Sequence, residues 1–391
     1  MKLLLDNDLN NKLRESVNSD DLFWKDPIQK EIWNLICAAM DRLDTSIDYI
    51  NSHPDYSKNE NDIILFFVHV SIIKDAIYQV SNSLKIDCSN KENIFYKYAK
   101  DYEIFKNIEE YENYRNSKNA ADDQFYEYLR SLVFAHPAET SWSIPNRIQN
   151  EIQYSPYLLS STLQFHCDYK NPIGVQVYSN KRNTSHICLD FEDLKQYVKN
   201  KYYKLELIIN KYNSIVEEFK NEKKKHKVNR NQDDLSILKE IVTILDERYL
   251  EHYNIDELID DLECNLTVAE NRNNVELFRN QIKKIIPDLC DAVDKYDCDG
   301  IYSLCDTLLY SRPKAHQMMH YQLEKIFCYL NDDGYGDIEW GLIQAEAFSK
   351  EFAKKWVVIK PYDMSFKEIK LLASVACYLE YQEQNKECKD E

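Results

Sequence analysis

The chain has 391 residues, a formal net charge of -18 and only 5 glycines, none of which precedes Gly174. A glycine loop that cradles a nucleotide phosphate needs glycine where the backbone turns tightly or approaches the phosphate, so no such loop can lie before that residue. The other glycines fit neither the Walker nor the dinucleotide-binding spacing: Gly300, Gly334, Gly336 and Gly341. Nucleotide binding through a glycine loop is therefore excluded.

The N-terminal part of the chain predicts a helical bundle. Apolar residues recur at steps of three and four from Pro27 to Ile50, as one face of a helix requires, and Pro54 should end that helix. Three further helices are predicted, at residues 61–84, 95–114 and 122–135. Because Pro137 disfavours helical geometry at the residue before it, His136 should lie at a helix end.

The middle of the chain alternates like β-strands, most clearly at residues 174–178 and 186–189, and this predicts a small β-hairpin insertion near residues 163–190. The helical pattern then returns to residue 227 and, after a polar break at residues 229–233, runs to about Tyr296. Further long helices are predicted at residues 302–330, 338–358 and 365–382. The predicted fold class is thus mainly α.

Charge and length divide the chain into three predicted parts. Residues 1–150 carry 25 acidic and 17 basic side chains, residues 151–230 carry 9 and 14, and residues 231–391 carry 33 and 18. We therefore expect a helical bundle at 1–145, a mixed segment with a basic helix at 146–230, and an acidic helical domain at 231–391. Attraction to a polyanion would come from the middle part.

The 11 cysteines are scattered without a C-x-x-C pair, which is typical of reduced thiols in the cytosol. The longest apolar stretch, Ile63 to Ile73, is shorter than a membrane span and contains His69, for which we expect a hydrogen-bonded position in the core. The sequence predicts a cytoplasmic protein without a membrane segment.

Arg130 and His136 stand at the end of the predicted helix 122–135, with five residues between them. A histidine near neutral pKa can take a proton from a ribose 2′-hydroxyl or give one to the leaving 5′-oxygen. An arginine can stabilise the charge on the phosphoryl oxygens in the transition state. The pair therefore suits metal-independent cleavage of RNA. On an ideal helix the two side chains would diverge by about 120°, so they meet only if the helix ends early or a second subunit supplies one of them.

This arrangement resembles the HEPN superfamily of helical ribonuclease domains, whose signature is an arginine followed after four to six residues by a histidine near a helix end. The resemblance covers about residues 20–140. It implies an α-helical bundle, a homodimer that pairs two Arg/His sets in a cleft, RNA as substrate, no cofactor or metal, and a role as a toxin or phage-defence effector. Ser131 departs from the more strongly polar residue, often asparagine, that follows the arginine in many members.

Neighbouring residues are candidates for substrate binding. Tyr126 lies four residues before Arg130 and could orient its guanidinium or stack on a base, although ordinary packing is the alternative. Glu139 and Thr140 are close enough in sequence to hold the histidine ring, and Thr140 could equally cap a helix. For Lys74 two positions are open, in the same cleft or in a surface pair with Asp75. Ser131 completes the predicted set.

Two other patterns are weaker. His316, His320 and Glu324 share a helix face with a zinc-like spacing, but no Glu directly follows His316, so we expect no metal there. A basic run comprises Lys220, Lys223, Lys224, Lys225, Lys227 and Arg230. We expect it to be a solvated helix end, and contact with nucleic acid is the alternative.

The competing hypothesis is a non-catalytic helical scaffold. In that case the acidic residues 231–391 would dock a basic protein partner, and a regulatory protein partner is also conceivable for a ribonuclease.

Overall fold

The computed structural model describes residues 3–53, 59–88, 122–140, 150–159, 171–181, 184–331 and 336–390, and its fold is mainly α, as predicted. The chain forms two compact units, Met1–Val216 and Glu217–Glu391. Residues 150–216, which belong to the predicted mixed segment, lie in the first unit with the N-terminal helices.

The described N-terminal residues form the helices α1 (Asn7–Asn18), α2 (Leu22–Lys25), α3 (Lys30–Ser52) and α4 (Glu60–Ser83). Helix α3 packs against α1, α2 and α4, and from Ile36 to Ile50 the apolar stripe found in the sequence is its buried face, whereas Ile28 lies before the helix and is exposed. The predicted helices at 27–50 and 61–84 are thus confirmed. Pro54 and the predicted helix at 95–114 lie outside the described residues.

Helix α4 is a central element of the first unit. It is apolar on several sides, and Phe66, Phe67 and Val70 are fully buried. His69 stacks on Tyr49 with ring centroids 4.1 Å apart and lies 3.2 Å from the Ser46 hydroxyl, so it is a hydrogen-bonded, half-buried residue. By length and composition alone α4 would also suit a membrane span, a property that buried core helices share.

A small antiparallel sheet follows, formed by β1 (Gln153–Tyr154), β2 (Leu158–Leu159), β3 (Pro172–Ser179) and β4 (Ser185–Asp190). Strand β3 is central and pairs with all three others. The β3–β4 pairing, with Val175 opposite Ile187, confirms the predicted hairpin. The two-residue strands β1 and β2 were not predicted because two residues are too few to show alternation.

Helices α6 (Phe191–Tyr202) and α7 (Leu205–Lys223) come after the sheet, and α5 (Asp122–Arg130) with a π-helical turn (Ser131–Ala135) precedes it. Asp190 caps α6 by accepting a hydrogen bond from the Glu192 backbone N–H, and α6 packs on α4. Helices α4, α5 and α6 together position the candidate site.

The second unit is helical throughout its described residues. After the end of α7 its helices are α8 (Asp234–Glu247), α9 (Tyr253–Glu263), α10 (Arg272–Lys295), α11 (Cys298–Leu309), α12 (Gln317–Tyr329), α13 (Ile338–Glu351) and α14 (Phe366–Asp390). Short 3₁₀ turns lie at Ala269–Asn271 and Ala353–Lys355. Helices α10, α11 and α14 enclose a core that includes Phe278, Leu289 and Leu372.

The sequence predicted fewer and longer helices here, and that was wrong. The segment predicted as continuous to Tyr296 breaks at Tyr249, whose φ of 58° no helix interior accommodates, and breaks again after Glu263. The predicted helix at 302–330 ends at Leu309, shortly before Pro313, whose ring and missing N–H disfavour a helix interior. His316 caps the second piece by accepting from the Met318 N–H.

Candidate functional site

Arg130 and His136 lie at the two ends of a π-helical turn. Helix α5 ends at Arg130, Ser131–Ala135 widen into the π-helix, and the backbone N–H of His136 donates to the Ser131 carbonyl over 2.8 Å. Pro137 follows directly, and His136 has left helical geometry with φ -144°. The prediction that His136 terminates the helix is confirmed. A π-turn at such a position is common near functional sites.

The Arg130 guanidinium is held on the surface of the first unit. Nη1 donates to Oε2 of Glu127 over 3.0 Å, one helical turn earlier, and the guanidinium carbon lies 5.7 Å from the centre of the Phe134 ring. The side chain is 36% exposed. Its Nε–H is buried and has no hydrogen-bond partner among the described residues. The guanidinium therefore has donor capacity that its described neighbours leave unused.

Glu127 joins Arg130 to Lys74 of helix α4. Its other carboxylate oxygen, Oε1, accepts a hydrogen bond from Nζ of Lys74 over 2.5 Å, and Lys74 also lies 3.6 Å from Asp75. Two predicted site residues, Arg130 and Lys74, are thus brought together by a carboxylate that the sequence analysis did not single out. The signal for Glu127 was its position three residues before Arg130, a spacing at which opposite charges pair on a helix.

His136 and Glu139 are both exposed. The His136 ring has no hydrogen-bond partner among the described residues, and none joins it to Arg130, Glu139 or Thr140. Within the described residues, then, Arg130 and His136 occupy the same helix end without a hydrogen bond between them. Neither Glu139 nor Thr140 holds the imidazole.

Ser131 and Thr140 form a pair beneath the π-turn. Both are buried, and their hydroxyl groups are hydrogen bonded to each other. The backbone of Thr140 forms a β-bridge with Gln153, whose side chain accepts a hydrogen bond from the Tyr128 hydroxyl over 2.8 Å. These contacts tie the segment after His136 to α5 and to the sheet. Ser131 and Thr140 therefore support the turn and do not present their hydroxyls to a substrate.

Tyr126 is a core residue. It is fully buried, its hydroxyl donates to the Phe67 carbonyl over 2.7 Å, and its ring stacks on Tyr197 at 5.0 Å. Burial raises the pKa of its phenol far above the usual range. The expectation that Tyr126 orients the guanidinium or stacks on a base is wrong, because the hydroxyl bonds elsewhere and the ring is enclosed. Tyr126 instead packs in the core, which was the alternative interpretation.

A buried polar group lies behind Tyr126. The Tyr197 hydroxyl donates to Asp123 over 2.8 Å, and Nζ of Lys201 donates to the same carboxylate over 2.6 Å. The Lys201 side chain is only 6% exposed. Burial lowers its pKa, while Asp123 opposes that shift. Single residues at positions 123, 197 and 201 give no pattern along the chain, so sequence analysis missed this group.

A cavity of about 310 Å³ lies beside this group. Its charged lining residues are Lys74, Lys201, Lys204, Asp87 and Asp123. Lys74 also pairs with Glu127, so a row of charged groups runs from the cavity to Arg130. Each ammonium group already has an acceptor, Glu127 for Lys74, Asp123 for Lys201 and the Cys88 carbonyl for Lys204, so the cavity is lined by paired charges.

The basic run lies in the second unit, and the members of it that pair with carboxylates of that unit include Lys223, Lys225 and Arg230. Arg230 pairs with Asp291 and Asp294 at 2.7 and 2.9 Å, and Lys227 donates to the Asp294 backbone carbonyl. These contacts favour a structural role for the run.

Across the described parts of the chain, no three His, Cys, Asp or Glu side chains converge in a way that could hold a metal ion. His316 instead uses its ring to cap α12.

Comparison with known proteins identifies no relative: no family model, no curated protein sequence and no solved structure matches this chain.

Proposed function

We propose that the first unit is a metal-independent endoribonuclease of the HEPN type. The observation that carries this proposal is the placement of a partly exposed Arg130 and an exposed His136 at the two ends of one π-turn. Both residue types suit cleavage of RNA by its own 2′-hydroxyl, and among the described residues neither side chain is closed off from solvent. The resemblance to HEPN domains supports the same assignment.

In the proposed reaction His136 exchanges protons and Arg130 stabilises charge. The ribose 2′-oxygen attacks the adjacent phosphorus and loses its proton to an imidazole, the P–O2′ bond forms, and the P–O5′ bond breaks as an imidazolium protonates the leaving oxygen. The guanidinium donates hydrogen bonds to the non-bridging oxygens, whose negative charge increases in the transition state. No redox step or metal ion is needed.

Two imidazoles, one acting as base and one as acid, would come from two subunits. The absence of a hydrogen bond between Arg130 and His136 among the described residues fits a site that a second copy completes. We therefore propose a homodimer that faces two π-turns across one cleft. Lys74, which Glu127 joins to Arg130, would lie beside that cleft.

The wider role follows from the resemblance alone. As a HEPN ribonuclease the protein would act in the cytoplasm as a toxin or phage-defence effector, under the control of a protein partner or another signal.

The test is cleavage of end-labelled single-stranded RNA after complete removal of metal ions with a chelator. We expect internal cuts that leave 5′-hydroxyl ends and 2′,3′-cyclic phosphates. The same strand carrying a 2′-deoxyribose at the cut position should remain intact, because it lacks the nucleophile. Cleavage that requires an added metal ion, or that proceeds at the deoxyribose, would contradict the mechanism.

A second candidate function is a non-catalytic scaffold, and one observation favours it. The Arg130 guanidinium already has a carboxylate partner, Glu127, as an ordinary surface arginine would. In this case the acidic residues 231–391 would bind a basic protein, and the chelator-treated protein would leave RNA intact.

A further inference from the structure

Helix α9 of the second unit presents four carboxylates to one cavity of about 260 Å³. They follow one another at helical spacing, so they lie on one face: Asp256, Glu257, Asp260 and Asp261. The opposite wall comes from α12 and α14, with Phe327, Lys367 and Lys370 among its residues. The cavity therefore combines excess negative charge with aromatic surface.

Three of these carboxylates already have partners within the protein. Asp256 lies 2.7 Å from the His252 ring, and Asp260 accepts a hydrogen bond from Lys367 over 2.6 Å. Glu257 accepts hydrogen bonds from the hydroxyls of Tyr253 and Tyr310. Their charges are thus compensated in part before any ligand binds.

Asp261 differs from the other three. It is 7% exposed, and its Oδ2 atom is buried with no hydrogen-bond partner among the described residues. Burial raises the pKa of this carboxyl well above its usual range, and the charges of Glu257 and Asp260 raise it further. An unpaired buried carboxylate destabilises a fold unless a cation or donor satisfies it.

The nearest arginine does not satisfy it. Arg279 uses Nε to donate to the Asp261 backbone carbonyl over 3.0 Å, and its other donors reach the Cys264 carbonyl and the Glu276 carboxylate. Asp261 lines the cavity, and its Oδ2 atom is left without a hydrogen-bond donor among the described residues. A metal ion is a poor occupant, because the described side chains offer no group of three metal ligands.

A second cavity, of about 450 Å³, adjoins the first. The two share Leu309, Phe327 and Ser374 as lining residues, and the second is mostly apolar, with Leu323 and Ala373 in its wall. A molecule that spans both would meet negative charge at one end and an apolar surface at the other.

We propose that the second unit binds a small organic cation, a protonated amine whose nitrogen lies against Asp261 and whose apolar tail extends past Phe327 into the second cavity. The site is built from the second unit alone and does not depend on the ribonuclease proposal. Its place in a unit separate from Arg130 and His136 suits a sensor for a metabolite of this class.

The test is calorimetric titration of the full-length protein with hexylammonium, hexan-1-ol and hexanoate, which share a tail and differ in charge. We expect hexylammonium to bind with a Kd of about 1 mM or tighter. Hexanol should bind at least about tenfold more weakly and hexanoate not at all, since an ion pair in a partly buried site is lost in both. Affinity should rise by up to about fourfold per methylene from ethyl- to hexylammonium as the tail enters the apolar cavity.

Two variants locate the site. Asp261→Asn keeps the shape of the side chain and should weaken hexylammonium binding at least about tenfold. Asp288→Asn removes an exposed carboxylate of α10 that lines neither cavity and should leave binding unchanged. The inference fails if the wild type does not bind hexylammonium, if hexanol binds equally well, or if both variants bind like the wild type. Either of the first two results would leave the ribonuclease proposal untouched.

Discussion

Arg130 donates a hydrogen bond to Glu127 one helical turn earlier, and the other oxygen of that carboxylate accepts a hydrogen bond from Lys74. A guanidinium on a helix end would otherwise sample several rotamers. The carboxylate restricts it to one side of the π-turn that ends at His136. Glu127 is accordingly a positioning residue in the proposed site.

We predict that Glu127→Gln lowers the rate of RNA cleavage by about 10- to 100-fold, because a misplaced guanidinium no longer meets the phosphoryl oxygens in the transition state. The effect should appear mainly in kcat. Stability should change by less than about 1 kcal/mol, since this ion pair is close to the surface. Unchanged kcat would show that Arg130 needs no partner.

Tyr126→Phe removes a buried hydroxyl that bonds to the Phe67 carbonyl and to Ser71. We predict a loss of about 1 kcal/mol in the free energy of unfolding, measured by urea denaturation, with RNA cleavage retained. Tyr78→Phe, at a tyrosine that is 55% exposed, is the matched control and should cost nothing measurable. Slower RNA cleavage at unchanged stability would contradict this prediction and would indicate that the Tyr126 hydroxyl takes part in the reaction.

The Asp123–Lys201 pair gives an asymmetric prediction. Asp123→Asn leaves the Lys201 ammonium buried without a counter-charge and should destabilise the first unit by about 3–5 kcal/mol. Lys201→Met leaves Asp123 bonded to Tyr197 and partly exposed, so it should cost less. Lys195→Met, which breaks a pair with Glu192 on the same helix, should cost under about 1 kcal/mol. Equal losses for the first two variants would argue against an uncompensated buried lysine.

The raised pKa of Asp261 predicts how stability varies with pH. In the unfolded chain an aspartate titrates near about 4, whereas in the fold its pKa is higher because of burial and of Glu257 and Asp260. The folded state therefore binds the proton more tightly, and the stability from this group is present at about pH 4 and lost as the pH rises through the folded pKa.

Asp261→Asn removes this dependence. We predict that in the absence of ligand the variant is more stable than the wild type at neutral pH, and that the difference disappears toward about pH 4. Urea denaturation at a series of pH values measures both quantities. Some slope should remain, since burial also raises the pKa of Glu257. A variant less stable than the wild type at every pH would mean that Asp261 has an internal partner.

Much of the fold could be predicted because its signals are local. The apolar stripe of α3 and the alternation around Val175 each lie within one segment, and each gave the correct element. The breaks at Tyr249 and Pro313 were missed because apolar periodicity continues across them, although proline at 313 was a visible signal. Pro287, in contrast, lies inside α10 without ending it.

The candidate site was less predictable. Arg130, His136 and the helix end between them follow from spacing and from Pro137. The roles of Tyr126, Ser131 and Thr140 could not be predicted from spacing. Whether a polar side chain faces solvent or the core depends on packing partners that are distant in sequence, such as Phe67 and Gln153. The same applies to Asp261, because its lack of a hydrogen-bond donor among the described residues depends on the tertiary structure.

The most direct test of the central claim is cleavage of single-stranded RNA, in the presence of chelator, by the wild type and four variants. Arg14→Ala and His53→Ala are matched controls in the same unit: Arg14 is 35% exposed and paired with carboxylates as Arg130 is, and His53 is exposed as His136 is. The account predicts that both controls cleave like the wild type, whereas Arg130→Ala and His136→Ala each lose at least about 100-fold in rate. Equal cleavage by all five proteins, or by none, would contradict it.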